Sequence, residues 1–258
     1  MEYICGKRYV TERSSERGYT LIEMILVLAI IAILAGVAVS FLQRGVDTAR
    51  IEETKQEMKT IVRAIAGNPD LVTGGRRLDF GYLGDIGAFP STLGDLKSNP
   101  GGFTTWDGPY LSGELAPSGA DTAYLLDAWG QAYVYSGDLT LISTGSGRTI
   151  TLGLPGTATD YLYNGLELYI RDTDGSLPGN DHKDSVIALL TIPDGSGSYI
   201  TLGRQPATDG RVRFDSIPIG NHRVAVAFTE TGDTLRQAVT VYPGQAGYLE
   251  IIHYADIW

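Results

Sequence analysis

Glu23 is the residue whose surroundings demand a chemical explanation. It stands just before the apolar run Met24–Phe41 (MILVLAIIAILAGVAVSF), in which Ser40 is the only polar side chain. That run is close to the ~20 residues a helix needs to cross hydrocarbon. A carboxylate costs roughly 2.5–3.5 kcal/mol at the centre of a bilayer and less near an interface, so a cationic partner is expected. Scission after Gly18 would make Tyr19 a new amino terminus four residues from Glu23. Its ammonium could then neutralise the Glu23 carboxylate of an axially shifted neighbouring helix in a low-dielectric bundle. A second group of oxygen donors, Asp172, Asp174, Asp181 and Asp184, lies in the run DTDGSLPGNDHKD. Carboxylates suit a hard cation, and calcium is the one cofactor this sequence admits. The run does not follow the twelve-residue calcium loop: counted from Asp172, Leu177 replaces the glycine and Lys183 the final glutamate.

Catalytic chemistry finds no support. His182, His222 and His253 are far apart, share no metal-ligand spacing, and read as surface or strand residues. No phosphate-cradling G-x-x-x-x-G-K, nucleophile-elbow G-x-S-x-G or zinc-helix motif is present. The chain therefore reads as a non-enzyme.

The elements that must position Glu23 follow from periodicity. Beyond the apolar run, Val46, Ile51, Met58, Ile61, Val62 and Ile65 recur at helical spacing among charged residues, and Gly67-Asn68-Pro69 signals a stop. One helix is predicted over 19–66, with 19–42 as membrane or filament core and 43–66 amphipathic. At 1.5 Å per residue it would be roughly 72 Å long. Gly36 and Gly45 are positions where it could bend, each costing about 1 kcal/mol against Ala.

Charge sets the compartment and the partners. The chain carries a formal net charge of −10; its first eighteen residues hold four basic side chains (Lys7, Arg8, Arg13, Arg17) against three acidic ones, leaving −11 on the remainder. Such an acidic body repels nucleic acid, so none is expected as partner. A basic segment ahead of the span predicts a cytoplasmic start and an outside globular part, although Arg44 and Arg50 on the far side weaken that asymmetry. The single cysteine, Cys5, lies in the leader. A processed chain would have no disulfide and would rely on packing or bound ions.

The stretch Arg17-Gly18-Tyr19-Thr20-Leu21-Ile22-Glu23 followed by an apolar helix resembles the processing site of type IV prepilins and type II secretion pseudopilins. The resemblance implies cleavage between Gly18 and Tyr19 by an inner-membrane prepilin peptidase, N-methylation of Tyr19, and helical filament assembly using Glu23. It implies a single-pass inner-membrane precursor inserted through 21–42, whose globular part is periplasmic, and later a periplasmic or surface filament. Partners would be further copies of the chain, the peptidase, other pseudopilins and an assembly platform. Many pilins place a proline just after the apolar run; Ser40 and Phe41 stand there in this chain.

Residues 67–182 read as a small β-rich head, with strands predicted at 132–135, 139–143, 149–152 and 161–170. Three segments resemble the major pseudopilin: Phe89-Pro90-Ser91-Thr92-Leu93-Gly94-Asp95-Leu96, Trp106-Asp107-Gly108-Pro109-Tyr110-Leu111, and Asp127-Ala128-Trp129-Gly130-Gln131-Ala132-Tyr133-Val134-Tyr135. In them Trp106 and Trp129 are expected to supply buried area, and Gly108 and Gly130 conformational freedom. The likeness fades at Ser143-Thr144-Gly145-Ser146-Gly147, where Ser146 replaces an acid of that family's calcium region.

From 183 to 258 the pattern becomes alternating strands at 186–192, 198–202, 211–214, 222–228, 235–241 and 248–253, with turns between, the rhythm of a small sandwich. The run Gly210–Val226 and the segment Val239–Gln245 resemble transthyretin-like, carboxypeptidase-regulatory-like modules, with His222 at the usual tyrosine position. The expected fold class is α+β: leader 1–18, helix 19–66, head 67–182 and sandwich 183–258. The resemblance points to a filament subunit of a type II secretion-like or type IV pilus-like apparatus. The alternatives are a minor tip subunit that binds through the sandwich, and a membrane-anchored binding protein that never assembles.

Overall fold

A computed structural model describes residues 18–111, 122–137, 139–254, 256 and 258. Cys5 and the leader cations Lys7, Arg8, Arg13 and Arg17 lie outside the described residues. The chain divides into two units, Met1–Ala49 and Arg50–Trp258. The class is α+β, as expected from the sequence.

Helix α1, Leu21–Ala66, runs through Gly36 and Gly45 without a break. In the first unit its large side chains are exposed along the whole apolar run. It is a helix long and apolar enough to cross a membrane, with none of its apolar window buried. Within the second unit the helix changes character. Thr54, Met58, Ile61, Ala64, Ile65 and Ala66 are buried, one face at i, i+3, i+4, i+7 spacing.

The stop comes at Gly67, which takes φ +77° and donates its N–H to the Arg63 carbonyl at 2.6 Å. A methyl group on Gly67 would lie 2.3 Å from the Asp79 carbonyl oxygen, so both conformation and crowding require glycine. A two-residue turn at Gly74-Gly75, both with positive φ, joins β1 (Val72–Thr73) to β2 (Arg76–Arg77). That hairpin delivers Arg77 to the end of α1. Its guanidinium donates to the Ala66 carbonyl and, at 2.7 Å, to that of Asp79, and lies 4.5 Å over the Phe80 ring. The carbonyls left over at a helix C-terminus are thereby given a cationic donor.

The head core gathers α1, α2 (Gly81–Ile86), the 3-10 turn Leu93–Leu96 and a three-stranded meander β3 (Val134–Tyr135), β4 (Thr140–Ser143) and β5 (Ile150–Gly153). Trp106 and Trp129 are only half-buried. Trp106 anchors its loop by donating to the Asp95 carbonyl at 3.0 Å and by an edge contact with Tyr110 at 5.6 Å. Gly108 is needed for contact, not for backbone freedom, since a Cβ there would sit 2.4 Å from the Trp106 ring. Gly130 does adopt φ +77°.

Residues 161–163 are not strand. Thr157 and Asp160 form a capping box that starts α3, Ala158–Leu162, and β6 begins only at Asn164.

The sandwich has seven strands. One sheet is β11 (Asp233–Val241), β10 (Gly220–Phe228), β7 (Val186–Pro193) and β8 (Tyr199–Arg204), all antiparallel. The other is β12 (Gly247–Ile252), β6 (Asn164–Arg171) and β9 (Arg211–Ile217), with β12 parallel to β6. Alternate residues face a shared core, among them Leu168, Leu190, Phe214, Val226 and Phe228, all at most 2% exposed. The boundary expected at 182/183 therefore falls inside the sandwich. β6 belongs to it because its partners are β9 and β12, and Leu166, Leu168 and Ile170 fill its core.

Sandwich and head share one compact unit. Ile219, at the β9–β10 turn, is fully buried in the head core, and its N–H donates to the Tyr161 carbonyl at 2.9 Å. Gly195 donates to Ile86 at 2.8 Å and Thr104 to Gly197 at 2.8 Å. The Asn221 side chain donates to the Arg77 carbonyl at 3.2 Å.

Candidate functional site

The amino-terminal site is organised by Thr20. Its hydroxyl accepts the Glu23 N–H at 3.3 Å, while the Glu23 carboxylate accepts the Thr20 N–H at 3.3 Å and its hydroxyl at 3.4 Å. This is a reciprocal capping box. It explains why α1 begins at Leu21 and not at Tyr19: Gly18, Tyr19 and Thr20 are non-helical. The pattern Thr-x-x-Glu was visible in the sequence and its capping role was missed. Gly18, Tyr19 and Glu23 are all exposed. Both bonds that Glu23 accepts fall on Oε2, at the helix start, where the macrodipole favours an anion.

The second candidate site is a turn at the end of β6. Asp172 and Asp174 each accept the Ser176 N–H, at 2.9 and 2.7 Å. Their carboxylates lie with that of Asp256 so that one oxygen from each falls within 4.8 Å of the others. Asp172 is fully buried; Asp174 and Asp256 are exposed. The Asp174 carboxylate beside it pushes Asp256 upward. Three such oxygens offer ligands for a hard cation, but the set differs from the one expected. Asp181 and Asp184 do not join it; Asp184 instead approaches Lys183 at 3.4 Å. Asp256 is remote in sequence and arrives only because β12 runs parallel to β6. Trp258 closes the turn by donating to the Ser176 carbonyl at 2.7 Å.

Of the histidines, expected at the surface or on strands, His222 lies on β10 and His182 near the surface. His222 is buried, hydrogen-bonds the Pro218 carbonyl at 2.7 Å, and is pushed down by burial. His253 is buried beside Phe228 and 3.6 Å from Asp233. His182 is part-exposed and meets Glu230 at 3.0 Å.

Asp127, in the segment resembling the pseudopilin hairpin, is the hub of the head. One carboxylate oxygen accepts the N–H groups of Trp129 (3.0 Å) and Gln131 (2.9 Å). The other accepts the Ser143 hydroxyl (2.6 Å) and the Gly145 N–H (3.0 Å). Burial raises its pKa, yet these donors outweigh burial and hold it below the usual carboxylate value. Gly145 permits this approach, since a Cβ would lie 2.4 Å from the Asp127 oxygen. The loop that has Ser146 in place of an acid is thus organised by Asp127, which lies in the turn ahead of β3.

Residues 13–39 match the family described as the prokaryotic N-terminal methylation motif. The chain is 27% identical over 132 residues to the type II secretion system core protein G of Xanthomonas campestris pv. campestris, spanning 50% of this chain and 76% of that protein. These two findings support a place among the pilins and pseudopilins, which are structural subunits and not enzymes. Among solved structures, a candidate carbohydrate-binding protein from Pseudomonas aeruginosa aligns at 14% identity over 36% of this chain and 90% of its own, with a TM-score of 0.24. The major pilin subunit of Bacillus cereus aligns at 14% identity over 45% of this chain and 37% of its own, with a TM-score of 0.25. At those scores neither likeness bears on the fold.

Proposed function

We propose that this pilin-type chain is a filament subunit made as a membrane precursor, cleaved between Gly18 and Tyr19 by a prepilin peptidase, methylated on Tyr19, and assembled through α1. The observation that carries the reading is an exposed Gly18-Tyr19 pair, with Tyr19 four residues before Glu23, at the head of a wholly exposed apolar run. In the precursor the apolar run sits in the inner membrane and the second unit lies outside the cytoplasm. In the filament, runs from neighbouring copies bury one another. Lipid tails and aliphatic side chains are similarly apolar, so the transfer is nearly neutral, and Glu23 sets register by meeting a neighbour's Tyr19 ammonium. The similarity to a secretion core protein favours a type II secretion-like apparatus with other pseudopilins and an assembly platform as partners.

The test is co-expression of the full chain with a prepilin peptidase, read by intact mass. Loss of residues 1–18 is expected, with a methyl group added to Tyr19. A chain that stays uncut while filaments form would overturn the reading.

A further inference from the structure

We infer that the outer face of the four-stranded sheet is a cationic docking surface for the acidic end of the sandwich of a second copy of this chain. Arg223 and Arg236 lie on that face, because Val224, Val226 and Val239 on the same strands point into the core. Arg223 is directly opposite Ala238, and Arg236 opposite Ala225, which makes the two arginines diagonal neighbours, about 7–8 Å apart. The β1–β2 hairpin brings Arg76 to the same place, its guanidinium donating to the Ala238 carbonyl. All three are exposed. Among the described residues none of the three meets a carboxylate, although the chain as a whole has 30 acidic against 20 basic residues.

The rest of that face is uncharged, including Leu189, Thr191, Thr201, Asn221 and Ala225, with no acid at its outward strand positions. Like charges held this close repel each other, and an anionic partner would relieve them. The chain carries such a partner at the other end of the same sandwich. β10 starts against the head at Gly220 and ends at Phe228, where Trp258 packs 5.8 Å from the Phe228 ring and fixes the turn bearing Asp174, with Asp256 close by. Cationic face and anionic end lie on different parts of one molecule and cannot satisfy each other within it. A contact between unlike patches is heterologous and repeats without closing, as a filament requires. It also offsets, locally, the repulsion between strongly acidic subunits.

This inference rests on the self-assembly proposed above, and its test separates the two. In a Cys5→Ser background, the full-length chain carrying Arg236→Cys and Asp174→Cys is oxidised in its own membranes. A ladder of disulfide-linked dimers and higher multimers is expected. Adding Arg76→Glu and Arg223→Glu should lower cross-linking by about tenfold, and further adding Asp256→Arg should restore it; this restoration also shows that the reversed chains remain folded. Filaments without a ladder, or a ladder indifferent to charge reversal, would overturn the contact and leave the filament reading intact. A ladder in cells that form no filaments would support the contact and overturn the filament reading. Arginine-dependent retention of polygalacturonate with no ladder would assign the face to an acidic polysaccharide and overturn the second copy as occupant.

Discussion

At the scale of single residues, polar groups in this protein chiefly set backbone geometry. Asp127 ties four donors, Asp160 caps α3, and Glu23 caps α1. Asp85 is different. Burial raises its pKa to about 6, while a hydrogen bond from the Tyr110 hydroxyl at 2.7 Å partly opposes the shift. A carboxyl with a raised folded pKa contributes stability that is full below its unfolded value of 3.8 and is lost as pH rises through about 6. Asp85→Asn, which still offers Tyr110 an acceptor, should therefore stabilise the protein at pH 7 by about 1–2 kcal/mol, discounted for partial exposure. Denaturant midpoints of both proteins at pH 4 and pH 7 test this: the advantage should shrink at pH 4, and an advantage equal at both would exclude ionisation as its cause. Asp85 carried no signal in the sequence, because its burial depends on Tyr110 arriving from a separate loop.

At the scale of elements, α1 serves two environments with one unbroken helix. Its apolar half shows no face preference, as a helix surrounded by lipid or by copies of itself would not. Its second half shows one face buried in the head. The change was legible from Arg44 onward, where charges enter the pattern. The exact stop was legible only as Gly67; that Asp79 and Phe80 press on it was not. Gly67→Ala should cost about 2 kcal/mol or more, from the positive φ and from the clash with backbone that has no rotamer to yield. Urea unfolding monitored by circular dichroism measures this, and a loss below about 0.5 kcal/mol would mean the helix end relaxes freely. β6 shows the opposite case: its alternating Leu166, Leu168 and Ile170 announce a strand, but alternation alone cannot say which sheet receives it.

At the scale of the whole chain, the second unit is one folded body in which head and sandwich interlock. Ile219 of the sandwich completes the head core, and β6, which follows the head in sequence, is the central strand of its sheet. Removing residues 183–258 would strip β6 of both its partners, β9 and β12, and open a row of unpaired backbone groups beside exposed leucines. That truncation should be insoluble or degraded. A soluble, cooperatively folded product on gel filtration and thermal melting would show that the head stands alone with β6 attached. An interlocked sandwich also holds the Arg76–Arg223–Arg236 face in a fixed relation to the head.

The sequence by itself determined whatever depends on neighbours along the chain: the apolar helix, the Gly18-Tyr19-Glu23 spacing, the α+β class, and most strand centres. Those features follow from periodicity and local propensity, which act over a few residues. Only the tertiary structure decided which distant groups meet. It exchanged Asp181 and Asp184 for Asp256, buried His222 and His253, moved the sandwich boundary back to Asn164, and gathered Arg76, Arg223 and Arg236 from three strands onto one sheet face. Strand pairing between residues many positions apart is a property of the closed fold, selected by the burial of whole faces together, and no local window contains that information.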